Sequence, residues 1–356
     1  MKISVNCKLD NQGVYDFLRP LSDLDRISHL NIFRDFHGYK YEKLYYHSPK
    51  FNTHKIINQL SKVILMVRHM PKDTKICIGV YEIPHGVIAY LMGKFWRIPV
   101  VISIISNPGY TVIRKGLRKK LSNFMYKRCS AITVTGTKSK NFLIQNGINR
   151  KKIFIIVCPI DIEYFKVIPS VKKKYDIISI GRLSPEKELF NLLKIVSILK
   201  NSMPNIKVGI AGNGPERKKI EMEISRLHLE SNVDMLGYIN DTADCFNSGR
   251  IFVLTSSSEG LPRTILQAMA CGLPCVSSDV GDISDIITNG INGYLIEDYK
   301  DIENYVKVIH ELLFSPNNTK LGRRARESIE KHHSYESTSL LWDNILRHID
   351  NYEYKN

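Results

Sequence analysis

Three loops in the second half of the chain carry residue types that could do chemistry on a phosphorylated ligand. "IISIGRLSPEKELFNLLKIVSIL" reads as strand, glycine loop and helix, with Arg182 directly after Gly181 and Lys187 at the first turn of the next helix. A cation at a helix start is locally unfavourable by roughly a few tenths of a kcal/mol, so an anion bound there would offset it. Arginine offers phosphate oxygens a planar fork, and lysine offers a point charge. In the second loop, "RIFVLT" is a strand, "SSSEGL" a turn, and Pro262 opens a helix at its first position, where a missing N–H loses no partner. That helix runs through Ile265, Leu266, Met269 and Ala270 and stops at Gly272, with Pro274 beyond. Glu259 stands at its entrance and Gln267 about 7 Å along it, at ~1.5 Å per residue. Free N–H groups and the helix dipole favour a phosphate at such an entrance. A carboxylate beside it would accept hydroxyl protons from whatever the phosphate carries. The third loop, "IAGNGPERKKIE", places Gly212, Asn213 and Gly214 after a strand. It is no dinucleotide fingerprint, because Arg217 occupies the third glycine position. Each loop alone is a turn glycine beside a surface charge, but three in this order form a candidate site.

The elements that must position these loops alternate between short apolar runs and longer amphipathic ones. The strand-like runs are "MKISV", "KICIGV", "PVVISII", "SAITVTG" and "KIFIIV" in the first half, then "YDIISIG", "IKVGIAG", "NVDMLG", "RIFVLTS" and "LPCVSS". Such alternation is the signature of βαβ units and parallel sheets, whose ligands sit beyond the carboxyl ends of the strands. A length of 356 residues suits two such α/β domains. Prolines and a lysine run in "CPIDIEYFKVIPSVKKKYD" mark the boundary, giving residues 1–168, residues 169–334 and a tail of residues 335–356. In the tail, "SYESTSLLWDNILRHID" is an amphipathic helix with Leu341, Ile345 and Ile349 on one side, joined by Trp342 and Leu346.

Charge is unevenly divided. Residues 1–168 hold 28 Lys and Arg against 10 Asp and Glu, and the remainder holds 23 against 25, so the whole net charge of +16 originates in the first half. That half is expected to face something anionic: a membrane surface, a phosphorylated acceptor or a nucleic acid. Within it, "VIRKGLRKKLSNFMYKR" (residues 112–128) has seven basic residues and no acid. As a helix it puts Ile113, Leu117, Leu121, Phe124 and Met125 on one side, with Arg114, Arg118 and Lys119 among the residues around them. The longest apolar run, "IPVVISIIS", is far shorter than the roughly 18 to 20 residues of a membrane span, and "MKISVNCKLD" lacks the apolar core of a signal peptide. Seven scattered cysteines without a Cys-x-x-Cys read as reduced thiols, so a cytoplasmic protein is expected, peripheral on the membrane.

"GRLSPEKELFNLL", "IAGNGPERKKIE", "NVDMLGYI" and "SEGLPRTILQAMACGLPCVSSDVGD" resemble the ordered motifs of the family 4 retaining glycosyltransferases. The resemblance is specific over residues 175–300 and continues more weakly through residues 131–165. It implies the GT-B fold: two doubly wound Rossmann-like domains facing across a cleft, with a C-terminal helix crossing back to the first. It implies a nucleotide-sugar donor on the second domain and a glycan, lipid-linked or other membrane-held acceptor on the first, with no cofactor and no metal. Carried over, Arg182 and Lys187 hold the donor diphosphate and Glu259 contacts sugar hydroxyls. Gly181, Asn213, Gly214, Gly260, Leu261, Pro262 and Thr264 line the donor site, the chain around Tyr238 frames the base, and Gln267 stands where the family has a ribose-binding carboxylate.

The first domain departs from the pattern. A single Gly13 replaces the frequent glycine pair, and Ile105 or Ser106 occupies the place of a frequent histidine, with Asn107 following. His85 in "YEIPHGVIAYLMGK" is the alternative acceptor-side histidine, its ordinary role being to cap or pack the next helix. Two acid pairs, Asp23 with Asp25 and Asp161 with Glu163, imitate a metal-binding Asp-x-Asp by coincidence. Rival readings are a GT-B sugar-nucleotide epimerase, which leaves the basic half without a purpose, and a nicotinamide oxidoreductase, which lacks its glycine fingerprint. A nucleic-acid binder would need aromatic stacking platforms between the basic residues, so no nucleic acid is expected.

Overall fold

A computed structural model describes residues 1–49, 55–108, 116–315 and 318–353 of the chain. The chain divides into two compact units, Met1–Pro159 with Tyr335–Asn356, and Ile160–Ser334.

The first unit is built on a parallel seven-stranded sheet in the order β3-β2-β1-β4-β5-β6-β7. Its strands are β1 (Lys2–Asn6), β2 (His29–Phe33), β3 (Leu44–His47), β4 (Thr74–Val80), β5 (Val100–Ser103), β6 (Ala131–Val134) and β7 (Ile153–Ile155). Successive side chains enter opposite faces: Val101 of β5 packs with Ile3 and Val5, whereas Val100 and Ile102 pack with Cys77 and Ile132. Helix α1 (Asn11–Ser22) covers the first face. Helices α2 (Lys55–His69), α3 (Val87–Trp96) and α4 (Leu117–Arg128) bring Met66, Ile88 and Tyr126 to the other. Helix α5 (Thr137–Gln145) adds Leu143 there.

In the second unit the sheet order is β10-β9-β8-β11-β12-β13, again parallel. The strands are β8 (Tyr175–Ile180), β9 (Val208–Ala211), β10 (Val233–Gly237), β11 (Gly249–Leu254), β12 (Cys275–Ser278) and β13 (Gly293–Ile296). Helix α6 (Leu189–Ser202) follows β8, α7 (Arg217–Arg226) follows β9, α8 (Thr242–Asn247) follows β10 and α9 (Arg263–Ala270) follows β11. Helices α10 (Ile302–Phe314) and α11 (Asn318–His332) complete it. Strand order reverses between β8 and β11, so the crevice outside their carboxyl ends is the expected ligand position.

Each unit is thus a doubly wound Rossmann-like α/β layer structure, as the alternation of runs implied. Residues 160–168, which the sequence assigns to the first domain, pack with the second unit. The amide of Ile168 donates to Asn247 Oδ1 at 2.8 Å and Asn247 Nδ2 donates to the Lys166 carbonyl at 2.9 Å, tying this segment to α8. The last helix, α12 (Tyr335–Glu353), belongs to the first unit: Trp342, Ile345, Leu346 and Ile349 are buried against β1 and α1, as its apolar stripe predicts. Ser339 Oγ bonds the Pro20 carbonyl at 2.7 Å, and Arg26 pairs with Asp343 and Asp350. Among the described residues no helix is long and apolar enough to cross a membrane.

Candidate functional site

The loops after β8, β9, β11 and β12 are sewn to one another by backbone contacts. Leu183 N–H donates to the Asn213 carbonyl at 3.0 Å, and Glu216 N–H to the Leu183 carbonyl at 3.0 Å. Ser257 N–H donates to the Glu186 carbonyl at 2.9 Å, and Asp282 N–H to the Gly260 carbonyl at 2.8 Å. Glycine is required where these loops cross, Gly214 and Gly281 among the positions. A Cβ on Gly214 would stand 2.2 Å from the Leu183 carbonyl oxygen, and one on Gly281, whose φ is +58°, 2.3 Å from that of Gly260.

This stitching brings Lys187 to Glu259, with Nζ 2.6 Å from Oε1, and both side chains are largely buried. Ser256 Oγ donates to the same Oε1 at 2.7 Å. The second carboxylate oxygen, Oε2, takes no hydrogen bond among the described residues. Lys187 does not open helix α6. It ends a short 3-10 turn, Pro185–Lys187, and Glu188 takes a left-handed conformation (φ 50°) before α6 begins at Leu189. Thr255 Oγ1 holds that kink by donating to the carbonyls of Lys187 and Glu188, each at 3.1 Å. The lysine therefore reaches back beneath Gly181 and does not extend along α6. Burial works against the charge of Glu186, but the Ser184 hydroxyl, its own N–H and the cations Lys187 and Arg182 outweigh it and lower its pKa. Arg182 is exposed, and its guanidinium makes no hydrogen bond or salt bridge among the described residues. Together with Gly181 and Lys187 it lines a small pocket at the end of β8.

The helix after β11 begins one residue later than the sequence suggests. Pro262 is extended (ψ 119°) and serves as N-cap, so Arg263 is the first helical residue and Gln267 lies nearer 6 Å along the axis, at ~1.5 Å per residue. The helix closes as expected: Gly272 is left-handed (φ 71°), its N–H bonds the Met269 carbonyl and that of Leu273 bonds Ala268. Gln267 and Thr264 are half-buried, Leu261 is buried, and Asn213 Oδ1 is turned back onto Gly214 N–H at 2.8 Å. Tyr238, just after β10, is 78% exposed.

Of the acceptor-side candidates, Gly13 sits in the first turn of α1, where its N–H is capped by Asp10 Oδ1 and a Cβ would lie 2.9 Å from that oxygen. His85 is 2% exposed, and its Nδ1 lies 3.1 Å from Asn6 Oδ1 while Nε2 has no partner. It is a buried group beside the ends of β1 and β4, paired with Asn6 and not with the helix that follows. Asn107 is half-buried four residues after β5, next to residues 109–115, which lie outside the described set. The acid pairs have local uses. Asp23 accepts from Tyr41 and pairs with Arg19, and Asp161 Oδ1 caps the N–H groups of Glu163 and Tyr164. Among the described residues no group of three or more acidic, His or Cys side chains could hold a metal. Sequence reasoning missed Ser256 and Gly281, because a serine run and one more turn glycine carry no signal until the loops cross.

Residues 161–332 match the family model described as glycosyl transferases group 1. The second unit belongs to this family. The chain is 30% identical over 203 residues to a poly(glycerol-phosphate) alpha-glucosyltransferase of Bacillus subtilis, covering 56% of this chain but only 30% of that protein. It is 26% identical over 252 residues to a Campylobacter jejuni alpha-1,4-N-acetyl-D-galactosaminyltransferase named for a diNAcBac-PP-undecaprenol-linked substrate, with 69% of this chain and 68% of that one covered. The crystal structure of Anabaena Alr3699/HepE in complex with UDP and glucose aligns with a TM-score of 0.80 at 19% identity, over 98% of this chain and 99% of that one. The shared fold is that of the GT-B glycosyltransferases.

Burial pushes the His85 imidazole down to about 3, with Lys62 and Lys8 adding to the effect and Asp35 opposing it. The folded state thus prefers the neutral ring, and the stability this represents is complete above the unfolded value of about 6.5 and is lost as pH falls from there toward about 3. Urea unfolding of the first unit should therefore weaken on acidification by up to about 1.4 kcal/mol per pH unit from this group. A His85→Gln variant should show a visibly flatter dependence between pH 6.5 and 4; identical slopes would refute the assignment.

Proposed function

We propose that the protein is a retaining, metal-independent glycosyltransferase of the family 4 kind, moving a sugar from a nucleotide-sugar donor to a polymer or lipid-linked acceptor in cell-surface glycan synthesis. The observation that carries this is the Lys187–Glu259 pair beside an unpaired Arg182, in the crevice where strand order reverses. Arg182 and Lys187 supply fixed positive charge where a departing diphosphate gains negative charge, the kind of preorganised help that often dominates catalysis. Glu259 has Oε1 committed to Lys187 and Ser256, which leaves Oε2 to accept from sugar hydroxyls. With the diphosphate leaving and the acceptor hydroxyl entering on one face of the sugar, configuration is retained and no protein nucleophile is needed. Gln267 replaces a carboxylate on the ribose by accepting from one hydroxyl and donating to the other. The group 1 domain and the transferase relatives support this reading, and no observation favours the epimerase or nucleic-acid alternatives.

The first unit supports docking on an anionic membrane. Helix α2 exposes Ile57, Leu60, Ile64 and Val67 at helical spacing, while Asn58, Lys62 and Met66 on its other side are buried. Leu91 and Phe95 of α3 are also exposed. Of the basic segment at residues 112–128, Ile113 and Arg114 lie outside the described residues and the Leu117 side chain is likewise undescribed. Met125 is buried and Leu121 half-buried as expected, but Phe124 points outward at 44% exposure with the Arg128 guanidinium 4.0 Å from its ring centre. Lys94, Arg97 and Arg128 line a concavity of ≈ 580 Å³, wide enough for a lipid headgroup. Exposed apolar side chains and a cation-lined concavity on one unit suit the boundary between headgroups and acyl chains, each cation near the surface contributing about 1 kcal/mol.

Three measurements test this function. Arg182→Ala and Lys187→Ala should each lower turnover of a nucleotide sugar by roughly 10²-fold or more, and Glu259→Ala should abolish transfer while free nucleotide still binds. Near-normal rates in all three would remove the donor assignment. By calorimetry with the preferred nucleoside diphosphate, Gln267→Ala should weaken binding by about 1–2 kcal/mol and Gln267→Glu should stay within about tenfold of the parent; an unchanged alanine variant means the ribose is held elsewhere. In sedimentation with liposomes, binding to anionic vesicles should exceed binding to neutral ones, fall with salt, and drop on Leu60→Asp or Phe95→Asp. Equal binding to both vesicle types contradicts the docking reading.

A further inference from the structure

Another cavity opens in the first unit, at the carboxyl ends of β1 and β2. It has a volume of ≈ 400 Å³, and Lys8, Asp10, Asn11, Arg34, Asp35 and Phe36 are among its walls. Arg34 sets its character. The residue is 3% exposed, its Nη2 donates to the Leu9 carbonyl at 2.8 Å, and its Nη1 has no partner. A guanidinium stays charged at any ordinary pH, so a buried one calls for an anion. No carboxylate pairs with it among the described residues.

The nearby groups do not fill that need. Asp35 is taken by Lys62, a fully buried ammonium 2.8 Å from its Oδ1. Asp10 caps helix α1 through the Gly13 N–H. Cys7 and Tyr46, which also feel the arginine's charge, are neutral because burial raises the thiol to about 11 and raises the phenol as well. Lys8 is exposed on the cavity's rim and makes no salt bridge among the described residues. Phe36, 58% exposed, gives one wall an apolar face. The cavity thus combines two cations that make no salt bridge among the described residues with a carbon-binding wall, beside two carboxylates engaged elsewhere, Asp10 with the Gly13 N–H at the capped start of α1 and Asp35 with Lys62.

We propose that this cavity binds a phosphate ester carried by the acceptor, with Arg34 as its buried counter-cation, Lys8 as the second charge and Phe36 against the attached carbon skeleton. The proposal rests on the reading that the first unit receives the acceptor, and it narrows that acceptor to a phosphorylated one. Arginine presents its N–H groups as a fork to phosphate oxygens, and charge-assisted bonds of this kind are the strong ones.

Phosphorus NMR titration of the full chain tests it, using glycerol 1-phosphate and, separately, inorganic phosphate. Arg34→Gln should weaken glycerol phosphate binding at least about tenfold and Lys8→Ala about three- to tenfold, with Arg34→Lys recovering part of the loss. Nucleoside diphosphate binding should be unchanged in these variants and lost in Arg182→Ala/Lys187→Ala, which in turn should keep the glycerol phosphate site. Lys8 is exposed, so Lys8→Ala decides the matter if Arg34→Gln fails to fold. Binding like the parent in Lys8→Ala and Arg34→Gln overturns the site, as does loss of all glycerol phosphate binding in the Arg182→Ala/Lys187→Ala protein. Inorganic phosphate binding as tightly as the ester overturns the acceptor assignment. Failure of nucleoside diphosphate to bind the parent chain would count against the transferase reading alone, since the Arg34 and Lys8 titrations stand without it.

Discussion

Gly212 approaches the loop of Gly181 so closely that a Cβ there would lie 1.8 Å from the Gly181 carbonyl oxygen, and its φ of +135° is one that side chains rarely allow. That contact locks the end of β9 against the end of β8. From it follow the position of Leu183 under Asn213, the turn through Pro185–Lys187 and the height at which Lys187 emerges. The β11 loop is then fixed to the same frame, since Thr255 bonds the carbonyls of Lys187 and Glu188 and Ser257 bonds that of Glu186. A non-glycine residue held left-handed, as Glu188 is, costs about 1–2 kcal/mol and persists only where neighbours over-determine it. Here they do so in order to aim a lysine.

The Lys187–Glu259 pair is better understood as a positioning device than as a source of stability. Both side chains are partly screened from water, at 16% and 12% exposure, where desolvation offsets much of the Coulomb gain. What the pair provides is a lysine tethered to a carboxylate that is itself held by two donors on one oxygen. Arg182 is free of such ties. On the proposed reading, a tethered charge beside an exposed, untethered guanidinium suits a leaving group that must be held and then released.

How far the sequence revealed this depends on the range of the physics involved. Strands with β-branched runs between clear turns, such as β8 and β11, were visible, and so was the Schellman end of α9, because these signals are local. Strands β2, β3 and β13 were not among the runs identified: "HLNIF" opens with His29 and carries Asn31 at its centre, while "LYYH" and "GYLI" are only four residues long. Loop position singled out Arg182, Lys187 and Glu259 as candidates, but the 3-10 turn that bends Lys187 back to Glu259 was not legible, since it depends on Thr255 sixty-eight residues away. Arg34 was invisible for the same reason. Nothing in "IFRDFH" shows that Asp35 will turn to Lys62 and leave its neighbour alone.

The excess positive charge of the first half, a single number in the sequence, separates in the structure into groups with different physical meanings. Lys62 is buried and paired, so its charge is cancelled inside the fold. Lys94 and Arg128 stand in the last turns of α3 and α4, where the helix dipole already favours a cation, and only their crowding around one concavity with Arg97 asks for anything outside the protein. Arg34 is the opposite case: buried, single and away from any helix end that would favour it. A surface cation is satisfied by water, and a paired one by its acid. The cation that has neither is the one whose partner must arrive as a ligand, so a partner is better inferred from unmatched charge than from net charge.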